Sequence, residues 1–283
     1  MNLSMMALDD AAARAAATYN AAADLYDDAA LSFWERFGSG TAARLNLRPG
    51  ESVLDVCCGS GASAIPAAAR VAPGGSVLGV DLAEGLIRLG RLKAARRGVT
   101  NVEFRVGDFQ QIDLPEEAFD AVVCVFGIFF IPDMARAVRR LMSLVRPGGR
   151  LAITTWGRDL FEPANTIFWT MVREQRPDLY KRFHPWDRIN DPGSLAALLR
   201  EGGAGPLKVV EERGLHPIER AEDWWTIVLG SGYRGTIELL DAASRERVRR
   251  GCLARLAAMK VRWIQTNVIY SVTVRGRESS KGA

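Results

Sequence analysis

Three carboxylates and a pair of glycines define the chemistry open to this chain. Asp55 lies inside the apolar run Ser52 to Val56, and Gly59 and Gly61 follow it directly. Asp81 ends a second apolar run, Ser76 to Val80, and Gly107-Asp108-Phe109 closes a third strand-like run, Val102 to Val106. Glycines between a strand and a helix let a ligand lie against the main chain, where a side chain would collide with it, and the free N–H groups of the following helix favour polar or anionic atoms. The alanine-rich stretch Ala62 to Val71 supplies that helix, so the stretch reads as a nucleotide-cofactor loop. Gly59, Gly61 and Ala64 also meet the G-x-G-x-x-G/A spacing of nicotinamide dinucleotide sites, and Asp81, about twenty residues further on, suits a ribose in either case. Asp55 and Asp108 discriminate better: a carboxylate ahead of the glycines suits an ammonium group more than a pyrophosphate.

In this order the residues resemble the class I S-adenosylmethionine-dependent methyltransferases, in particular the branch related to the ubiquinone and menaquinone C-methyltransferases. The resemblance covers roughly Glu51 to Trp156. The family pattern D-x-G-x-G-x-G lies over Asp55, Cys57, Gly59 and Gly61, with cysteine at 57 where glycine is usual. The acidic end of the second strand lies over Asp81, beside Leu82, and the adenine-contacting acidic residue over Asp108, beside Phe109. Leu144-Val145-Arg146-Pro147-Gly148-Gly149 is similar to the family's turn into its fifth strand. The resemblance implies S-adenosylmethionine as cofactor, held by these residues and by Phe126. Ala-Thr-Tyr-Asn around Tyr19, followed by Leu-Tyr-Asp, resembles the N-terminal helices that fold over the cofactor in small-molecule methyltransferases.

The elements that must position these residues alternate. From Glu51 the order is strand, helix, strand, helix (Glu84 to Arg97), strand, then a strand Ala118 to Phe126, a helix Asp133 to Val145 and a strand Arg150 to Thr155 ending near Trp156. Alternation with short connections predicts an α/β fold with a doubly wound parallel sheet. Leu195 to Arg200 reads as helix, Leu207 to Glu212 as strand, and Asn267 to Val274 as a last strand, antiparallel in the resembled fold. The expected whole is a mostly parallel seven-stranded Rossmann-like sheet with a mainly helical cap. Its division is 1–50 as a helical cap segment, 51–156 as the cofactor-binding core, 157–190 as a cap insertion, 191–216 as a core helix and strand, 217–262 as a second cap insertion, and 263–283 as the last strand and tail.

Ligands in such sheets bind beyond the carboxyl ends of the strands, where the insertions must also hang, so the cap is expected to hold the acceptor. It is aromatic, with Trp186, Trp225 and Tyr233 expected at the acceptor together with Phe129 and Phe130 at the end of the fourth strand. The packing alternative, aromatics filling the space between helices, stands beside this for each one. Methyl transfer from a sulfonium needs mainly in-line positioning and water exclusion, and a hydroxyl or carbon acid acceptor also needs a base. His184, between Phe183 and Trp186 and near Asp187, is the preferred candidate over His216; a packed ring is the structural alternative for both.

The favoured function is therefore methyl transfer to an apolar or aromatic small molecule, such as a quinone precursor, an isoprenoid or a natural-product scaffold. One alternative is an RNA methyltransferase using the cluster Arg245, Arg247, Arg249, Arg250, Arg255, Lys260 and Arg262, for which a solvated helix face is the structural reading. Against it, the chain lacks the Asn/Asp-Pro-Pro-Tyr/Phe signature of amino-group nucleic-acid methyltransferases. A nicotinamide oxidoreductase or a nucleotide sensor is the other, opposed by Asp55, Asp108 and the lack of a hydride-transfer Tyr/Lys pair. The 283 residues, 48% hydrophobic and 25% charged with a formal net charge of +4, are ordinary for a globular protein. Cys57, Cys58, Cys124 and Cys252 have no metal-ligand spacing and read as free thiols, so no metal is expected and the expected compartment is the cytoplasm. No leader pattern and no apolar run of membrane-spanning length is seen.

Overall fold

The computed structural model describes residues 3–276, and the expected tail from 277 onward lies outside the described residues. The sheet is built from β1 (Ser52–Val56), β2 (Ser76–Asp81), β3 (Val102–Val106), β4 (Phe119–Val125), β5 (Val145–Trp156), β6 (Leu207–Glu212) and β9 (Val268–Val274), in the order β3-β2-β1-β4-β5-β9-β6. The first five pair in parallel, while β9 runs antiparallel to both β5 and β6. Strand order reverses between β1 and β4, which is the switch point where such sheets open a crevice at their carboxyl edge.

Sequence dictates which strands are central. Val53, Leu54 and Val56 of β1 and Ala121 to Cys124 of β4 are wholly buried, as continuous apolar runs covered on both faces should be. The edge strand β3 buries Phe104 alone, and β6 alternates between half-buried and exposed. One sheet face is covered by α3 (Ala64–Val71) and α4 (Glu84–Arg96); α5 (Met134–Leu144) and α7 (Pro192–Glu201) pack with β4, β5, β6 and β9. α2 (Phe33–Arg44) lies across β4, β5 and β9, fixed by a buried 2.8 Å hydrogen bond between the Thr41 and Thr154 hydroxyls.

Two strands escaped the sequence reading: β7 (Leu215–Pro217) and β8 (Trp263–Gln265) form a separate antiparallel pair. They prolong the β6–β9 ribbon after a break at Gly214, where the Thr266 N–H donates to the Gly214 carbonyl at 2.8 Å. Because Val268 opposes Trp156 at the carboxyl end of β5, this ribbon projects past the same edge as the glycine loop. It carries α8 (Ala221–Leu229), α9 (Arg234–Ile237) and α10 (Ala242–Ala258). Above that edge α10 packs on α8 and on α6 (Ala164–Gln175), and α1 (Leu3–Ala22) packs on α4 and α9.

The stretch 161–189, expected to be mainly helical, is helical only as α6; after Gln175 it forms two short turns of 3-10 helix starting at Pro177 and Pro185. Proline disfavours helical conformation in the residue before it and removes an N–H donor, so the helix does not continue. β5 begins earlier than expected, at Val145, through an irregular pairing between Phe119 and Ala121. The late arginines are largely engaged on the protein itself: Arg249 and Arg250 with Glu246, Arg255 with Glu174, and Arg247 with Gln175. Among the described residues no helix is long and apolar enough to cross a membrane.

Candidate active site

At the switch point lies a cavity of about 370 Å³. Its floor comes from the residues that follow each strand: Cys57, Cys58 and Gly59 after β1; Asp81, Leu82 and Ala83 at the end of β2; Gly107 to Gln111 after β3; Phe126, Gly127, Phe129 and Phe130 after β4. Its roof is α1 with Tyr19, joined by Tyr26 and Trp34, and its far wall is Leu160, Phe161, Trp186 and Tyr233.

One end is polar. Asp81 accepts the Gly59 N–H at 2.9 Å on one oxygen and the Ala83 N–H at 2.8 Å on the other, which locks the loop after β1 to the end of β2. Burial raises the pKa of Asp81 while these backbone donors pull it down. Asp108 turns back to accept the Gln110 N–H at 2.9 Å. Gly59 has φ 54, and a Cβ there would stand 3.1 Å from the Tyr26 hydroxyl, so only glycine keeps this approach open. The loop is held from the other side by Ser60, whose hydroxyl donates to Asp27 at 2.7 Å, with Lys93 donating to both.

The rest is aromatic. Tyr26 stacks on Trp34 with ring centroids 5.3 Å apart, Trp34 and Phe126 make an edge contact at 5.7 Å, and Phe126 stacks on Trp156 at 3.8 Å. Tyr19 approaches Phe130 edge-on at 5.7 Å, and Phe129 approaches Trp186 at 5.7 Å. The phenols of Tyr19 and Tyr26 are pushed far up by burial first and by neighbouring acidic groups, Asp81 among them, so both stay protonated at neutral pH. The Cys57 thiol is raised by its hydrogen bond with the Cys124 thiol and then by burial.

Two residues of this floor occupy backbone conformations that side chains rarely adopt: Cys57 at φ 54 and Phe126 at φ 55. For a non-glycine residue the left-handed region costs about 1–2 kcal/mol. Cys57 fills the space that Gly127 leaves: a Cβ at Gly127 would lie 2.4 Å from the Cys57 Cβ and 2.7 Å from its Sγ.

Of the residues singled out in the sequence, Tyr19, Cys57, Gly59, Asp81, Leu82, Asp108, Phe109, Phe126, Phe129, Phe130, Trp186 and Tyr233 meet in this cavity. Four do not. Asp55 lies beneath the loop, 1% exposed, taking the Ser63 hydroxyl at 2.6 Å with its other oxygen unpartnered among the described residues; burial first, then Asp81, raises it to about 7, and it is not part of the cavity's lining. Gly61, at φ 84, is packed against Phe104, where a Cβ would stand 2.7 Å from the ring, so it serves the fit of loop to sheet. Trp225 stays outside the lining, because its neighbour Trp224 takes the inward position and packs on Phe161, Phe168 and Tyr233. His184 sits behind Trp186, stacked on it at 4.6 Å, in a neighbouring cavity; burial lowers its pKa. The sequence reading gave no site role to Tyr26, Trp34, Gln110, Gln111, Arg136, Trp156, Leu160 and Phe161, which line the cavity. Trp156 and the two glutamines were findable, since each lies at or just past the carboxyl end of a strand.

Comparison with known proteins agrees with this geometry. The family model described as "Methyltransferase domain" matches residues 53–149. The nocamycin O-methyltransferase of Saccharothrix syringae is 36% identical over 260 residues, covering 83% of this chain and 88% of that protein. A demethylmenaquinone methyltransferase of Listeria monocytogenes is 34% identical over 185 residues, covering 62% of this chain and 78% of that protein. Among solved structures, phosphoethanolamine N-methyltransferase 2 of Haemonchus contortus, in complex with phosphomonomethylethanolamine and S-adenosylhomocysteine, superposes with a TM-score of 0.53 at 16% identity. It covers 86% of this chain and 53% of that one, a likeness of fold.

Proposed function

The chain belongs to the class I S-adenosylmethionine-dependent methyltransferases, and from that premise we propose that it methylates an apolar or aromatic small molecule of the natural-product or quinone-precursor kind. The observation that carries the proposal is the single cavity joining the Asp81 end to an aromatic chamber. The nocamycin O-methyltransferase supports the acceptor class, being similar along most of both chains.

The residues present fit the cofactor. Asp81 retains lone pairs toward the cavity beyond its two backbone bonds and would take the ribose hydroxyls. Gly59 supplies the close backbone approach, Asp108 with Phe109 the adenine end, and Tyr19 the cover. S-adenosylmethionine supplies an electrophilic methyl group on a sulfonium sulfur. The rings of Tyr26, Trp34 and Phe126 line the cavity and would suit the sulfonium's positive charge, since an aromatic ring attracts a nearby cation by about 0.5–2 kcal/mol depending on desolvation.

The remaining work is positioning. Phe129, Phe130, Trp186 and Tyr233 would hold the acceptor, exclude water and set the line of attack. Because Tyr19, Tyr26, Cys57 and Tyr233 are all raised, none takes a proton from the acceptor at neutral pH. The site therefore favours an acceptor that is itself acidic, a phenol or enol that reaches the cavity ionised. His184 would contribute through Trp186, whose ring it backs, as a positioning residue.

The test is methyl transfer from radiolabelled S-adenosylmethionine into separate pools of polar metabolites, lipid-soluble metabolites and total RNA. Label in the lipid-soluble pool, absent with Asp81→Ala, is expected. Label confined to RNA would replace this reading with its alternative.

A further inference from the structure

Behind Trp186 lies a second cavity of about 390 Å³, between one face of α6 and the segment 180–190, and the proposed function gives it no role. Leu160 and Trp186 line both cavities, so a single layer of side chains separates them. A hydrogen bond also crosses the boundary: the Tyr233 hydroxyl donates to Asn165 Oδ1 at 2.7 Å, and Asn165 lines the second cavity.

The two cavities differ in chemistry. The first is mainly aromatic. The second carries Arg173, Lys181 and Arg182, against Asp159, Glu162 and Asp187. Formal charge balances, but the carboxylates are mostly committed. Glu162 accepts from Asn165 at 3.0 Å, from the Thr166 hydroxyl at 2.9 Å and from the Thr166 N–H at 3.2 Å. Asp187 accepts the His184 N–H at 2.7 Å and Asn190 at 3.4 Å. Asp159, which is exposed, is the acid of this cavity without a side-chain partner among the described residues.

No ion pair among the described residues involves Arg173, Lys181 or Arg182. Arg173 lies over the Tyr180 ring at 5.2 Å and Lys181 near the Trp169 ring at 5.9 Å. Trp169, 6% exposed and lining the same cavity, buries its indole N–H with no acceptor among the described residues. Uncommitted positive charge thus borders one polar cavity next to the aromatic one.

We infer that the second cavity is a subsite for a carboxylate carried by the acceptor, whose aromatic body occupies the first cavity and whose tail passes Trp186. This rests on the reading of the first cavity as the acceptor site. Arg173 and Lys181 supply the charge, and Trp186 the divide between the two ends of the molecule. The subsite selects amphipathic acceptors, aromatic at one end and anionic at the other.

The probes are naphthyloxyacetate, naphthyloxybutyrate and naphthyloxyhexanoate with their matched carboxamides, titrated by tryptophan fluorescence with and without S-adenosylhomocysteine. At one chain length the carboxylate should bind about tenfold tighter than its carboxamide, the effect of one charge-assisted hydrogen bond. The preference should shrink as salt is added, because the cations are exposed. In Arg173→Met/Lys181→Met it should fall to within about twofold, with carboxamide affinity unchanged. Carboxylate and carboxamide binding equally at every length, or a preference that survives the double variant, overturns the inference. Inorganic phosphate alone quenching the fluorescence, with no carboxylate preference among the probes, would mark a free-anion site and overturn it too. Failure to bind S-adenosylmethionine would fell the proposed function instead, while the probes without cofactor would still report on the subsite.

Discussion

Cys57 and Gly127 behave as a size-matched pair, and exchanging their sizes tests the floor of the active site. Gly127 has φ −110, a conformation open to any residue, so Gly127→Ala meets no backbone penalty of its own. Its new Cβ would stand 2.4 Å from the Cys57 Cβ, about 1 Å inside ordinary contact, and a Cβ is not the free end of a flexible side chain. Overpacking of this kind costs about 1–3 kcal/mol, offset by roughly 0.4–1 kcal/mol from the stiffer unfolded chain, for a net loss near 1 kcal/mol. Cys57→Gly removes the obstacle and relieves the left-handed strain at φ 54, about 1–2 kcal/mol, but loses a packed thiol and stiffness in the unfolded chain. Its net effect should lie within about 1 kcal/mol of zero. On the Cys57→Gly background the clash is gone and only the unfolded-chain gain of roughly 0.4–1 kcal/mol remains, which makes the coupling between the two sites about 2 kcal/mol. Urea unfolding of the four proteins, with equal m-values, gives the coupling directly. A coupling below about 0.5 kcal/mol, or a Gly127→Ala protein as stable as wild type, would show that the two residues do not compete for space.

Two further outcomes follow from the same geometry. Asp55, raised to about 7 in the folded protein against 3.8 otherwise, binds its proton more tightly when folded, so stability should fall as pH rises from about 4 to about 7 and then level off. The drop attributable to this residue is roughly 4 kcal/mol, and Asp55→Asn should flatten that limb of a stability-against-pH curve; an unchanged slope would mean that Asp55 does not titrate there. Tyr19→Ala should weaken S-adenosylmethionine binding about tenfold by uncovering the cavity between Asp81 and Phe130, alongside a loss of stability from the missing ring. An unaltered dissociation constant by calorimetry would leave Tyr19 a packing residue.

The sequence was legible wherever a residue's environment follows from its own strand. β1, β3 and β6 agree in their bounds with the strand-like stretches Ser52 to Val56, Val102 to Val106 and Leu207 to Glu212. Polar residues at strand ends, Asp81 and Asp108, fell into the cavity because the carboxyl edge of a doubly wound sheet has one crevice. Reading failed where direction depends on a neighbour. Trp224 and Trp225 are adjacent on one helix and about 100° apart around it, and composition does not say which turns inward. Asp55 was given a ligand because its carboxylate precedes the glycines, yet strand alternation sends it under the loop to Ser63. The short β7–β8 ribbon, three residues a side with a proline in one, has too little pattern to be seen before its partners are known.

The most direct test is calorimetric titration of S-adenosylmethionine into wild type, Asp81→Ala and Trp186→Ala. One saturable site should appear in wild type, weakened about a hundredfold in Asp81→Ala, where a carboxylate bonded to the ribose is lost, and unchanged in Trp186→Ala, which touches the acceptor end. Binding indifferent to Asp81, or tighter binding of a nicotinamide dinucleotide to wild type, would contradict the assignment of the cavity's polar end to the cofactor.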